Sequence, residues 1–281
     1  MTEKNPVMRR VLFGIAAFLF LLAPGGLFAG ARRDASPASP AEPAPAAAPA
    51  PVTIMVAAAA SLEYSYRQEL IPRFQSQYPW ITVEGVYDSS GRLQTQIEGG
   101  LEADVFMSAA ERQMNALRDN GFIAPDSVVP LLQNKIVLIK PAGTATTVTS
   151  FDNITNAAVI ALGDPASVPA GQYAREALTN LGNWDAASAK ASFGGNVTEV
   201  LNWVGEASAE VGVVYATDAA TTDKVEVIAE LPDGILSTKV IYPVGRVSSS
   251  ARAGEADMFI RFLQTPEALD VFKAYGFSPN N

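Results

Sequence analysis

From Thr53 to its end the chain sets short apolar runs against helix-period segments, twice over, and that rhythm leaves few architectures open. VTIMVAAAA reads as a strand; in the SLEYSYRQELIPRFQSQY that follows, Leu62, Tyr66, Leu70, Phe74 and Tyr78 recur every four positions, the apolar face of one helix. ITVEGVY is a second strand, SGRLQTQIEGG a helix stopped by glycines, DVFMSA a third strand and ERQMNALRDNG another helix. KIVLIKPAG opens a second series: strand AAVIALG, helices QYAREALTNLG and VTEVLNWVGEASAE, strand VGVVYA, and strands around VEVIAEL and TKVIYPVGRV. One helix, GEADMFIRFLQTPEALDVFKAYGF, closes the chain. The alternation predicts α/β units around largely parallel sheets. Two series joined by extended crossings predict two α/β lobes with a ligand cleft between them, residues 53–133 plus 240–281 forming lobe 1 and 134–239 lobe 2.

The residues before Thr53 follow other rules. Residues 1–31 join a basic start, MTEKNPVMRR, to the apolar VLFGIAAFLFLL and end on Ala29-Gly30-Ala31, the small-x-small pattern of an export signal. Left uncleaved, residues 11–31 would just span a bilayer of about 30 Å as an N-terminal anchor. Residues 32–52 are nearly all Pro, Ala and Ser, a composition that buries too little to order itself and predicts an extended tether. The folded part is therefore expected outside the cytoplasm, in the periplasm or its equivalent.

Composition removes whole classes of chemistry. There is no cysteine, hence no disulfide, thiolate metal site or lipid-bearing cysteine, and no histidine, the commonest general base. None of the seven lysines follows a serine by three positions, and neither G-x-S-x-G nor a phosphate-binding G-x-x-x-x-G-K-[ST] occurs, so no enzyme is expected. Asp88, Asp104, Asp164 and Asp218 stand at strand ends, where turn and cap hydrogen bonding is the expected role, and no cofactor or cation site is expected. Beyond residue 31 the chain has 17 basic and 28 acidic residues, a formal charge of −11, which excludes nucleic acid as a natural partner.

What stands out is a set of strand-to-helix junctions built from small residues: AAAASL, DSSGRL, VPAGQYA and GGNVTEV. The first N–H groups of a helix lack intrahelical partners, and small residues let an anion approach them. Ser61 and Ser90 occupy expected N-cap positions, Asn196 with Glu199 has the capping-box spacing, and Pro169 suits the first helical turn. Arg92 and Arg175 follow these junctions on helices and are expected to point outward.

The stretches VAAAASL, SSGRLQTQIEGGLEADVFMSA, GDPASVPAGQYAREALTNLGNWD, VGVVYATDA and FKAYGF, in this order from about Thr53 to Ser278, resemble the periplasmic molybdate-binding proteins of molybdate ABC transporters. GDPxxVPAGxYAxEAL followed by VGxVYxTDA is the specific part of the match. The resemblance implies a two-lobed type II binding-protein fold that closes over one tetrahedral oxyanion, molybdate or tungstate, and delivers it as a monomer to a membrane permease. It places ligand contacts at Ser61, Ser90, Ala170, Val197 and Tyr215: hydroxyl and backbone donors from the serines, backbone N–H from Ala170 and Val197, and a phenol O–H from Tyr215. A fully deprotonated dianion carries only acceptors, and that donor set suits it without a cationic side chain. Another tetrahedral oxyanion, sulfate or phosphate, is the alternative cargo, and oxyanion sensing for a membrane partner the alternative role.

Overall fold

The computed structural model describes residues 49–280. The expected export signal and most of the expected tether lie outside the described residues. Residues 49–51 have no regular structure, and Val52, where the expected tether and the expected strand VTIMVAAAA overlap, belongs to the strand and pairs with Ile81.

Two sheets organise the molecule. Strands β1 (Val52–Ala59), β2 (Ile81–Asp88), β3 (Val105–Met107), β4 (Val129–Asn134), β10 (Val240–Arg246) and β11 (Ser278–Pro279) form the first, in the order β11-β4-β10-β3-β1-β2. The second contains β5 (Ile136–Pro141), β6 (Ile160–Gly163), β7 (Ala191–Gly194), β8 (Val211–Tyr215) and β9 (Val225–Glu230), in the order β7-β6-β8-β5-β9. The chain passes from one sheet to the other at Lys135, between β4 and β5, and returns through residues 231–239.

The sheets are mixed rather than largely parallel, and the exceptions have a common origin. β1 pairs in parallel with β2 and β3, as β6 does with β7 and β8, each pair closed by a helical crossover. Every antiparallel pair includes β4, β5 or β10: β5 and β10 enter their sheets from the other half, and β4 is the strand from which the chain first leaves.

Two helices depart from their sequence patterns. After β1 the chain makes a 3-10 turn (Ala60–Leu62), a short α segment, a π turn (Tyr66–Leu70) and an α-helix (Ile71–Gln77). Leu62, Tyr66, Leu70 and Phe74 are all fully buried, whereas a plain α-helix of 3.6 residues per turn would carry a four-residue repeat round its axis by about 40° at each step. The wider π turn winds the stripe back. The closing helix is two helices, Ala253–Leu263 and Pro266–Ala274, because Pro266 has no N–H with which to continue the first and starts the second behind a Thr265 cap. Their Phe259, Phe262 and Phe272 pack with Tyr66 and Phe74 into an aromatic core behind the first sheet, centroids 4.9–6.3 Å apart.

Candidate functional site

All five singled-out residues stand at or just beyond the carboxyl ends of strands that take part in parallel pairs, where open α/β sheets place their ligands. Ser61 and Ser90 lie two residues past Ala59 and Asp88, which are partners in the β1–β2 register. Ala170 and Val197 follow β6 and β7, whose last residues Gly163 and Gly194 are likewise paired, and Tyr215 ends β8.

Contacts between the halves draw these ends together. Gly91 N–H donates to Ser167 O at 2.9 Å, tying the Ser90 turn to the segment that leads into Ala170. Asn196 Nδ2 donates to Asp88 Oδ1 at 3.3 Å, tying the same turn to the residue before Val197. Ser61 Oγ lies 3.0 Å from Tyr242 Oη, and the Tyr242 ring meets Tyr215 edge-on with centroids 5.6 Å apart.

The local reasons differ at each position. Ala170 and Val197 are the second and first residues of helices Pro169–Asn180 and Val197–Gly205, Pro169 sits at the first helical position, and both side chains are buried. Gly171 is dictated by close approach: a Cβ there would collide with the Gly163 carbonyl, backbone against backbone. The cap assignments need correction. Ser89 is the cap of helix Ser90–Glu98, with Ser90 its first residue, and Ser61 lies inside the 3-10 turn rather than ahead of it. Asn196 caps as expected, accepting from Glu199 N–H at 3.0 Å, but Glu199 reaches back to Gly195 N–H at 2.6 Å instead of closing the box on Asn196.

Among the described residues no hydrogen bond engages the backbone N–H of Ser61, Ser90, Ala170 or Val197. The hydroxyls of Tyr215 and Ser89 are buried without any partner. An unpaired buried hydroxyl is costly, so two at one convergence of strand ends point to a ligand that completes them. Ser89 was not singled out from sequence, since nothing in DSSG distinguishes the serine that caps from the one that starts the helix. Burial pushes the Tyr215 phenol well above its ordinary range, so it keeps its proton and can only gain by donating it. Ser90 Oγ accepts Ala109 N–H at 3.0 Å, which leaves its own proton free to donate.

Among the described residues no cationic side chain hydrogen-bonds to this cluster, although the Arg92 guanidinium reaches across to Gly195. Arg92 is half exposed and pairs with Asp88 at 3.5 Å, and Arg175, also exposed, lies over the Trp184 ring. Asp164 and Asp218 take the expected turn and cap roles, whereas Asp104 ties β1 to Ser250 and Asp88 also reaches Asn196 in the other half. Asp88 accepts Ser89 N–H at 2.7 Å, Asp104 accepts Met55 N–H at 2.7 Å, and Asp164 accepts Ala166 N–H at 2.9 Å. Asp218 accepts Tyr215 N–H at 3.1 Å, and burial raises its carboxyl to about 7 against the pull of that bond. A groove of about 600 Å³ lies between helices Glu111–Asp119 and Pro169–Asn180, with Glu111, Arg112, Arg175 and Glu176 on its walls. Its mixed charge and openness to solvent suit no single small anion.

Two α/β halves with unpaired donors gathered at their facing strand ends define a cleft-type solute-binding protein. Residues 54–278 match the family model of bacterial extracellular solute-binding proteins, and the chain belongs to that family. It is 40% identical over 227 residues, 81% of this chain and 86% of the relative, to Bacillus subtilis YvgL, a protein named for the substrate-binding lipoproteins of ABC transporters. It is 35% identical to the molybdate-binding protein ModA of Haemophilus influenzae, covering 80% of this chain and 89% of that one. The periplasmic molybdate-binding protein of Azotobacter vinelandii shares the two-lobed fold, with a TM-score of 0.70 over 81% of this chain and all of that one at 23% identity.

Proposed function

We propose that this chain captures molybdate, and tungstate with it, outside the cytoplasm and delivers it to the permease of an ABC transporter. Ser61, Ser90, Ala170, Val197 and Tyr215 form the donor cage, Ser89 adds a hydroxyl, and residues 53–133 with 240–281 close against 134–239 as one monomer. The observation that carries the reading is the Tyr215 hydroxyl, buried, protonated and without a partner where free helix N–H groups converge. A fully deprotonated tetrahedral dianion is the ligand that takes hydrogen bonds from every such group and asks for none in return. The names of the relatives point to the same cargo. Binding without catalysis fits a chain that has no histidine or cysteine. Retention at the membrane, where it occurs, falls to an uncleaved N-terminal segment, because the chain has no cysteine to carry a lipid.

Titration calorimetry of the full-length chain with molybdate, tungstate, sulfate and phosphate across a salt series tests this. Molybdate and tungstate should bind alike and the smaller sulfate far more weakly, because it cannot reach all donors at once. With a net charge of −9 on the chain and no cation in the cage, affinity should change little with salt, and Arg92→Gln and Arg175→Gln should stay within about twofold of wild type. Comparable sulfate affinity, or a large loss in either arginine variant with the fold intact, would overturn the proposed cage.

A further inference from the structure

A serine hydroxyl donates one hydrogen bond and accepts two, so its presence beside an anion does not settle which end it offers. An acceptor-only ligand needs the proton. For Ser90 the backbone decides, since Ala109 N–H fills an acceptor position on Oγ from behind. Ser61 has no such backbone donor. Its neighbour is Tyr242 Oη at 3.0 Å, and either oxygen has a proton to give.

The direction is set further back. Lys135 N–H donates to Asn134 Oδ1 at 2.8 Å, which fixes the amide so that Nδ2 faces the interior. That Nδ2 donates to Thr217 Oγ1 at 2.8 Å and to Tyr242 Oη at 3.2 Å. With its oxygen already receiving an amide N–H, Tyr242 gives its own proton to Ser61, and Ser61 gives its proton to the cleft. We propose that Tyr242 is a positioning residue that holds Ser61 as a donor and thereby sets the preference of the site for fully deprotonated tetrahedral anions, an inference that rests on the oxyanion reading above.

The placement of Tyr242 supports this. It is fully buried on β10, at the point where the β10–β4 register shifts between Tyr242 and Pro243, an irregularity of the kind that re-aims a side chain. Tyr215 and Phe277 hold its ring edge-on, at 5.6 and 5.3 Å. Burial keeps its phenol protonated at any physiological pH. The relay starts at Asn134 and Lys135, where the chain crosses between the sheets, and its Thr217 branch reaches the turn after β8, so one amide ties both sides of the cleft.

A double-mutant cycle tests the relay. Molybdate affinity is measured by titration calorimetry for the full-length wild type, Tyr242→Phe, Ser61→Ala and the double variant, with the thermal midpoint of each ligand-free protein as the folding control. Tyr242→Phe should weaken binding about tenfold in the wild-type background and less than about twofold in the Ser61→Ala background, because it acts through Ser61. Hydrogenphosphate, which brings a proton of its own, supplies the readout that a structural role would not move. Its affinity relative to molybdate should rise in Tyr242→Phe, where Ser61 is free to turn a lone pair toward it. Asn134→Ala, which removes the upstream donor, should give the same pattern with smaller amplitude, and it carries the test if Tyr242→Phe does not fold. Equal losses in both backgrounds, no loss in either, or an unchanged anion ratio would overturn the relay and leave the molybdate reading standing. A wild type that binds neither molybdate nor tungstate would overturn both.

Discussion

The two walls of the proposed cage offer hydrogen-bond donors of different kinds. The wall from the first sheet presents hydroxyls, those of Ser61 and Ser90, each with a donor behind it in Tyr242 or Ala109 N–H. The wall from the second sheet presents the N–H groups of Ala170 and Val197, together with the Tyr215 phenol. An amide is a donor by its covalent structure and needs only to be uncovered, so small residues suffice there. A hydroxyl has to be told which way to point, and that takes partners brought from elsewhere in the chain. The difference predicts that damage to the backbone of the second wall acts through stability, and damage to the first wall or to the Tyr215 phenol through affinity.

The largest effect tests what backs each wall. Asp218 supports Tyr215 with a carboxyl raised to about 7, whereas the backing of Ser61 is a phenol and an amide that do not titrate near neutrality. An acid with a higher pKa in the folded than in the unfolded chain holds extra protons when folded. Its contribution is complete below about pH 4 and is lost as pH rises through about 7. Ligand-free stability should therefore fall between those limits by a few kcal/mol on this account, and Asp218→Asn, which keeps an acceptor for Tyr215 N–H, should flatten the slope. Urea unfolding at a series of pH values checks it. The same slope in wild type and variant would assign it elsewhere.

Next come two glycines in close contact with backbone. A Cβ at Gly171 would strike the Gly163 carbonyl within the second half of the molecule, while one at Gly91 would strike the Ser167 carbonyl across the cleft. Gly171→Ala should cost about 3 kcal/mol of ligand-free stability, since β6 and its helix cannot separate without unpacking. Gly91→Ala should leave that stability nearly unchanged and weaken ligand binding about tenfold, because opening the cleft relieves the clash. Denaturation and titration of the two variants side by side separate the cases. A stability loss for Gly91→Ala as large as that for Gly171→Ala would mean that the halves cannot part.

The smallest predicted change concerns a single atom. Tyr215→Phe should weaken molybdate binding by about 1 to 2 kcal/mol, yet leave ligand-free stability equal to wild type or slightly above it, since the deleted hydroxyl has no partner to lose. Calorimetry and a thermal scan read the two quantities separately. Lower stability with unchanged affinity would return Tyr215 to a packing role.

Much of the scaffold was legible before folding. The apolar runs marked β1, β3, β5, β6, β8 and β10, because a strand buried within a sheet has to be apolar along its length, while the edge strands β2 and β9 showed through their β-branched residues alternating with polar ones. β4, β7 and β11 were missed. Only Lys135 separates β4 from β5, so no turn signal divides them; β7 is a four-residue edge strand with Phe193 exposed; β11 is two residues defined by its pairing with β4. The four-residue repeat from Leu62 to Tyr78 identified the buried face, but the π turn that keeps it in line showed only in three dimensions.

The small residues of VPAGQYA and GGNVTEV were dictated locally, because exposing a helix N-terminus is a matter of what stands within a few positions of it. The site residues taken from family resemblance were placed by tertiary structure at the facing strand ends. Which serine caps and which begins the helix was a tertiary outcome. So was the orientation of Ser61, because Tyr242 lies 181 positions from it, and the amide that directs Tyr242 lies 108 positions from that phenol. Periodicity and turn chemistry act over a few residues and are written in the sequence directly. The proton order of a buried hydroxyl depends on neighbours that only the folded chain brings within 3 Å or so, and the physics that fixes it does not exist until the chain has folded.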